Sequence, residues 1–223
     1  MASDTPRGKI ELFEDFVVDN GSGSSGLTET ASTASMDVLS KHGGWMRLTT
    51  TTGDGGYAIL TGERVFEVDE GHPLILEVRL QCNLVANAAL FVGFTDATGD
   101  TGAAIMDEDG TLTATATDAF GFMLEGEQDT TWQAVAVDSD ALETQVALTE
   151  GADAANSTIQ TLRLEANPND SGTVKYFIDG KLVSTQTGWF DSSIVYCPVV
   201  GTDERATATL TDVDYIYAMA PRS

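Results

Sequence analysis

Hydrophobic and polar residues alternate along most of this chain with a period of two. Alternation of this kind indicates β-strands that have one face in a core and the other toward solvent. Leu74–Leu80 (LILEVRL) and Thr158–Glu165 (TIQTLRLE) are clear examples, whereas Ala88–Phe94 (AALFVGF) is a continuous apolar run, typical of a central strand buried on both faces. Helical periodicity is nearly absent. The pattern therefore predicts an all-β protein.

Turn-forming residues separate these runs. Asp179-Gly180 lies between two β-rich segments, and because Asp-Gly favours the positive φ angles of a type I′ turn, it predicts a β-hairpin. A second hairpin is predicted where the segment 53–56 (GDGG) separates Trp45–Thr49 from Tyr57–Leu60.

Two segments depart from simple alternation. Asp96–Thr117, rich in Asp, Gly, Thr and Ala, predicts a long loop, and Leu210–Tyr217 breaks the strict period in a way that predicts a β-bulge. About 12–14 strands without an internal repeat predict one antiparallel β-sandwich or jelly roll, residues 27–223. Residues 1–26 are predicted to form an N-terminal arm and a Ser/Gly-rich loop. The first strand of this arm, residues 10–18, is expected to pack on the sandwich.

The net charge narrows the function classes. The 223 residues include 35 acidic and 11 basic side chains, giving a formal charge of −24. Such a surface repels phosphates, so binding to nucleic acid is not expected. Ordinary acidity and halophilic adaptation both explain the charge. No apolar run reaches the roughly 18–20 residues of a membrane-spanning helix, and the polar start does not resemble a signal peptide.

Cysteine and histidine offer no metal or nucleophile pattern. Cys82 and Cys197 both lie in strand-like text, which favours buried free thiols, although a single disulfide between them remains an alternative. His42 and His72 are isolated, so neither a zinc site nor a catalytic triad is expected.

Five short motifs, taken together in their order along the chain, resemble the concanavalin A-like lectin/glucanase sandwich, especially the version found in capsid decoration proteins of tailed phages and archaeal viruses. The resemblance implies a concanavalin A-like jelly-roll fold across roughly residues 8–218, and it specifies function poorly because the strongest motif is a hairpin. The motifs are FEDF (Phe13–Phe16), LFVGFTD (Leu90–Asp96), FGFMLE (Phe120–Glu125), VKYFIDGKLV (Val174–Val183) and LTDVDYIYA (Leu210–Ala218).

The glucanase branch of this fold uses carboxylates that flank the scissile bond, and residues two or four positions apart on a strand share the face that this requires. Glu67-Val68-Asp69 begins such a motif, but the third carboxylate is out of phase. Other acidic pairs are expected by chance among 35 acidic residues. We therefore predict no catalytic residues and no enzymatic activity.

Two weaker candidate sites remain. Asp96, Asp100, Asp107 and Asp109 share one loop region and could bind Ca²⁺, which prefers several oxygen ligands, although a solvated acidic loop is the favoured explanation. No other cofactor is expected. Trp189-Phe190, between Gly188 and Asp191, is the candidate for contact with a carbohydrate or a partner, because one of two adjacent aromatic rings could be exposed.

These observations favour a virion structural protein: a capsid decoration (cement) or turret protein of a tailed virus, made in the host cytoplasm and displayed on the capsid surface. Its expected partners are the major capsid protein and sister copies, with a trimer favoured among homo-oligomers. No association with a membrane is expected. The alternatives are a carbohydrate-binding, lectin-like module and, less favoured, a glycoside hydrolase.

Overall fold

A computed structural model describes residues 9–17, 27–41, 43–52, 56–67, 73–97, 106–108, 111–113, 116–139, 141–142, 146–148, 152–168, 172–203, 205 and 207–221. Within these ranges the regular secondary structure is almost entirely β-strand, with a 3₁₀ turn at Val85–Asn87. The search of the described residues found no helix of the length and apolarity that crossing a membrane requires.

Most strands form two antiparallel sheets, here called sheet A and sheet B. Sheet A has the order β17-β16-β15-β7-β19-β4-β3, and β1 also pairs with β19, beyond β4 along the same edge of that long strand. Its strands are β1 (Lys9–Glu14), β3 (Ser35–Val38), β4 (Met46–Thr49), β7 (Leu74–Cys82), β15 (Gln160–Asn167), β16 (Thr173–Ile178), β17 (Lys181–Gln186) and β19 (Leu210–Pro221).

Sheet B has the order β13-β12-β11-β8-β18-β5-β2, with β14 pairing with β12 and β6 with β18. A separate pair joins β9 to β10. The strands are β2 (Leu27–Ser32), β5 (Tyr57–Gly62), β6 (Phe66–Glu67), β8 (Ala89–Thr95), β9 (Met106–Glu108), β10 (Thr111–Thr113), β11 (Ala119–Glu125), β12 (Gln133–Asp138), β13 (Ala141–Leu142), β14 (Val146–Ala147) and β18 (Val195–Asp203).

The core lies between the two sheets, where the inward residues of each strand meet. Aromatic rings dominate it: Phe122 packs edge-on against Trp132 and Tyr176, with ring centroids 6.1 and 5.1 Å apart. The Trp132 indole donates to Gln160 Oε1 at 3.0 Å, so its buried N–H is satisfied. The Tyr176 hydroxyl is buried without a hydrogen-bond partner. This core makes the two sheets one sandwich.

Several local predictions are confirmed. Asp179 and Gly180 have φ angles of 50° and 79° and connect β16 to β17, as a type I′ turn requires. β8 lies between β11 and β18, and all seven of its residues are buried. The register of β19 against β7 shifts between Val213 and Tyr215, at the predicted bulge.

Two predictions about connections are wrong. β4 and β5 do not form a hairpin, because β4 joins sheet A and β5 joins sheet B. A glycine-rich turn signal does not distinguish a hairpin from a crossover between sheets. The region predicted as the loop Asp96–Thr117 contains the β9–β10 pair. Of the 19 described strands, 14 have four or more residues, in agreement with the predicted 12–14, and the other five have only two or three.

Candidate functional site

The outer face of sheet B, which points away from sheet A, is apolar at its centre. Here Phe91, Met123, Val135 and Val199 alternate with the residues that face the core, and each is at most 1% exposed. The Phe91 ring lies over two cross-strand glycines: a Cβ on Gly121 would come within 2.8 Å of it. β9 lies beside β8 and β11. We call this surface the apolar outer face.

A buried charged triad lies at one end of the apolar outer face. Glu125 and Asp203 flank Ala89 in the cross-strand register, and Arg205 bridges them. Arg205 Nη2 donates to Glu125 Oε2 at 2.5 Å, its Nε to Oε1 at 3.3 Å, and its Nη1 to Asp203 Oδ2 at 3.4 Å. The arginine thus occupies the space between the two carboxylates, where a glycosidase would place the scissile bond.

Of two other acidic pairs in the sequence, Glu67 with Asp69 and Asp212 with Asp214, the pair on β19 is the one that the structure describes in full. Glu67 is exposed at the end of β6, and Asp69 lies outside the described residues. Asp212 accepts hydrogen bonds from Arg47 Nε at 2.6 Å and Lys41 Nζ at 2.7 Å, and Asp214 pairs with Arg79. Each described pair member on β19 is therefore held by cations on the sheet surface.

The proposed calcium loop is only partly described. Asp100 and Asp109 lie outside the described residues, and Asp107 is seen as backbone in β9, opposite Leu112. Asp96 Oδ1 accepts the backbone N–H groups of Thr117 and Asp118 at 3.1 and 3.2 Å, so it closes the ends of this segment. Among the described residues, no group of three potential ligands could hold a metal ion.

Asp118 sits beside this closure and is only 3% exposed. Burial raises its pKa, and the nearby carboxylates of Asp96, Asp138 and Asp191 raise it further, although the Ser139 N–H bond opposes them. The sheet therefore has an acidic end, and Asp118 is its most buried member.

Trp189 and Phe190 are both buried, each 7% exposed. Phe190 packs against Phe120 at 5.6 Å between ring centroids, and Trp189 meets the Tyr176 ring edge-on at 6.3 Å. The expectation that one ring is exposed is wrong, because both rings fill the end of the core. A contact role for this pair stays a prediction. In the present conformation, little surface of either ring is available for such a contact.

A shallow cleft of about 410 Å³ lies between the end of the first strand and the turn after β3. Phe16, Val17, Leu39, Lys41 and Gly44 are among the residues that line it. Among the described residues of the lining, Lys41 is the charged one, and it is already bound to Asp212.

The outer face of sheet A was not anticipated as a candidate site. It carries an ordered network in which Arg163 binds Glu77 at 3.2 Å and Glu165 at 2.8 Å, while the Tyr215 hydroxyl donates to Glu77 at 2.7 Å. Phe13 lies beside Tyr215 at 6.1 Å between ring centroids and is 60% exposed. We call this surface the mixed outer face. The sequence signal for it was only the alternation within each strand.

Trp45 is a second feature of this side that the sequence did not reveal. Lys41 Nζ lies 4.9 Å from its ring centroid and the Arg79 guanidinium carbon 6.0 Å away, within cation–π range. The indole is 8% exposed, so the two cations cover it. The contact with Arg79 joins residues 34 positions apart, whereas the contact with Lys41 is local in sequence.

Comparison with known proteins places the fold. Neither a family model nor a curated protein matches the sequence. Similar solved structures include a protein of unknown function from Shewanella oneidensis MR-1, with a TM-score of 0.68 and 16% identity over 96% of this chain and 87% of that chain. A Bacillus licheniformis β-glucanase gives a TM-score of 0.59 and 17% identity, covering 93% and 97% of the two chains.

Two further structures bind or modify carbohydrate according to their names. The potassium-bound carbohydrate recognition domain of Emp46p gives a TM-score of 0.61 and 13% identity, covering 92% of this chain and 94% of that one. A carbohydrate esterase from the Shiga toxin-encoding bacteriophage phi24B gives 0.56 and 18%, covering 86% and 89%. At these identities the likeness concerns the fold. The chain is a concanavalin A-like jelly-roll β-sandwich.

Proposed function

We propose that this sandwich is a non-catalytic structural module of a virus particle, a decoration or turret protein on the capsid of a tailed virus. The observation that carries the non-catalytic part is the apolar outer face. Its central rows bear Phe91, Met123, Val135 and Val199, and the carboxylates at its end are clamped by Arg205. A hydrolase needs a pair of carboxylates with room for a sugar between them.

The surface charge supports a role in an exposed assembly. A formal charge of −24 keeps a highly concentrated protein soluble and repels nucleic acid, so contacts with a packaged genome are disfavoured. A bacteriophage protein carries the same type of sandwich, which is consistent with a phage setting. On a capsid, many weak contacts repeated by symmetry produce strong attachment through avidity.

Quantitative mass spectrometry of purified particles tests the proposal. Particles of the virus that encodes this chain should contain many copies of it, in a fixed ratio to the major capsid protein. After mild extraction, the chain should be found either on capsid shells or released from them. A chain found only in the lysate, or at a few copies per particle, would contradict the proposal.

A carbohydrate-binding role is the second candidate, favoured by two orphan polar atoms. Gln133 Oε1 and Thr61 Oγ1 are buried on the sheet B side and have no hydrogen-bond partner. Sugar hydroxyls could satisfy such atoms if a ligand reached them, and each unmet group costs about 1–3 kcal/mol. A glycan array with and without Ca²⁺ tests this role, with Gln133→Leu as the variant and Gln128→Leu as an exposed control. Hits that Gln133→Leu abolishes would support the role, and no hits would remove it.

A further inference from the structure

The mixed outer face is nearly neutral although the protein is strongly acidic. Among the side chains that the structure describes, five basic and six acidic residues lie on this face, a net charge of −1, whereas the whole chain carries −24. A second acidic molecule therefore meets least repulsion here. The residues are Lys41, Arg47, Arg79, Arg163 and Lys175, with Glu11, Asp37, Glu77, Glu165, Asp212 and Asp214.

One row of this face runs across six strands and has a self-complementary order. Successive register pairs join β1, β19, β7, β15, β16 and β17, and the row is apolar at both edges, aromatic next to them and charged at the centre. Its members are Phe13, Tyr217, Glu77, Arg163, Phe177 and Leu182.

We propose that two copies of this chain associate through the mixed outer faces around a two-fold axis parallel to the strands, between β7 and β15. This axis reverses the row, so that Glu77 of each copy faces Arg163 of the other. Tyr217 then faces Phe177, and Phe13 faces Leu182. Every position of this row meets a chemically matched one, which is the self-complementarity that an isologous interface uses.

The exposed apolar residues and the dimensions agree with this association. The described part of the chain exposes five large apolar residues, and three of them belong to sheet A or its margin. These are Phe13 (60% exposed), Ile159 (39%) and Leu182 (48%). Six strands at about 4.8 Å and six residues at about 3.3 Å give a footprint of roughly 29 by 20 Å. With side-chain relief, this approaches the ~800 Å² per partner of a standard interface.

Sedimentation or light scattering of the full chain at tens of micromolar provides the first test. We expect a species of twice the 23.6 kDa chain mass, formed more tightly as salt rises from 0.05 to 1 M because screening reduces the repulsion between two acidic copies. Phe13→Asp and Leu182→Asp should each weaken dimerisation at least tenfold. Val65→Asp is the matched control, since Val65 is 40% exposed beside sheet B, and should change it less than twofold.

Charge exchange provides the decisive test. Arg163→Glu alone places Glu77 against a glutamate, and Glu77→Arg alone places two arginines together, so each variant should be monomeric. Mixing the two variants restores both opposite-charge contacts, and a heterodimer should form. Loss of a structural contact within one chain cannot be rescued by mixing. A monomer at every salt concentration, dimerisation indifferent to Leu182→Asp, or a mixture that stays monomeric would each overturn the proposal.

Discussion

Asp212 is the hub of the ion network on sheet A, and its removal has a calculable effect. The side chain is 3% exposed and accepts hydrogen bonds from Arg47 at 2.6 and 2.9 Å, Lys41 at 2.7 Å and Gln81 at 3.0 Å. Burial alone would raise the pKa of Asp212, but these bonds outweigh it and lower the pKa from 3.8 to about 2. We therefore consider Asp212→Asn.

The magnitude follows from the pKa. Each pKa unit corresponds to about 1.4 kcal/mol, so the ionised Asp212 contributes about 2.5 kcal/mol to the free energy of unfolding at neutral pH. Its cationic partners are partly in water, which brings the expected loss in Asp212→Asn to about 2 kcal/mol. Because the folded pKa is lowered, this contribution is complete above about pH 4 and disappears as the pH falls toward 2. Near pH 2.5 the free energies of unfolding of the wild type and Asp212→Asn should differ by about 1 kcal/mol or less.

Urea unfolding followed by tryptophan fluorescence measures this difference, since Trp45, Trp132 and Trp189 are all buried. Asp37→Asn is the control: Asp37 lies on the same face but is exposed, and its change should stay within about 0.5 kcal/mol. Comparing variants at each pH cancels the titration of the other carboxylates. A loss that is the same at pH 7 and pH 2.5, or a loss no larger than that of the control, would refute the reasoning.

Three further substitutions test other features by thermal or urea unfolding. Arg205→Met removes the cation from two buried carboxylates and should cost about 3–5 kcal/mol, whereas Arg64→Met, at an exposed arginine, should cost less than about 1. Gly121→Ala places a Cβ 2.5 Å from a backbone oxygen and should cost more than Gly180→Ala, where nothing lies within 4 Å and only the positive φ, about 1 kcal/mol, opposes alanine. Tyr176→Phe removes a buried hydroxyl without a partner and should leave stability unchanged or raise it by about 1 kcal/mol, and a loss above 1 would mean that the hydroxyl is hydrogen-bonded.

The fold was largely predictable because strand alternation and turn chemistry are local. Asp179-Gly180 adopts positive φ angles for reasons contained in the dipeptide, and the apolar run at Ala89–Thr95 becomes the buried β8 because only a central strand can cover such a run on both faces. The same locality explains the error at β4 and β5. Whether a turn returns a strand to its own sheet depends on pairing with strands far along the chain.

The surface sites were not predictable for a related reason. Glu77 meets Arg163 across 86 positions, and Arg205 meets Glu125 across 80, so no spacing in the sequence marks either contact. Trp189-Phe190 illustrates the converse, since neighbours in sequence that could have been exposed on a loop instead close the core. Alternation in the sequence predicts which residues of a strand share a face. It does not predict the registers, which determine the side chains that are neighbours across strands.

The positions of the last two strands have a consequence for how the protein is made. β18 lies between β8 and β5 in sheet B, and β19 lies between β7 and the β4 and β1 edge in sheet A. Neither sheet can complete its pairing until β18 and β19 have been synthesised, because each of these strands lies between strands that come earlier in the chain. Folding during synthesis is therefore expected to stall until this final segment leaves the ribosome, and the exposed edges of the waiting strands are then the stage most prone to aggregation.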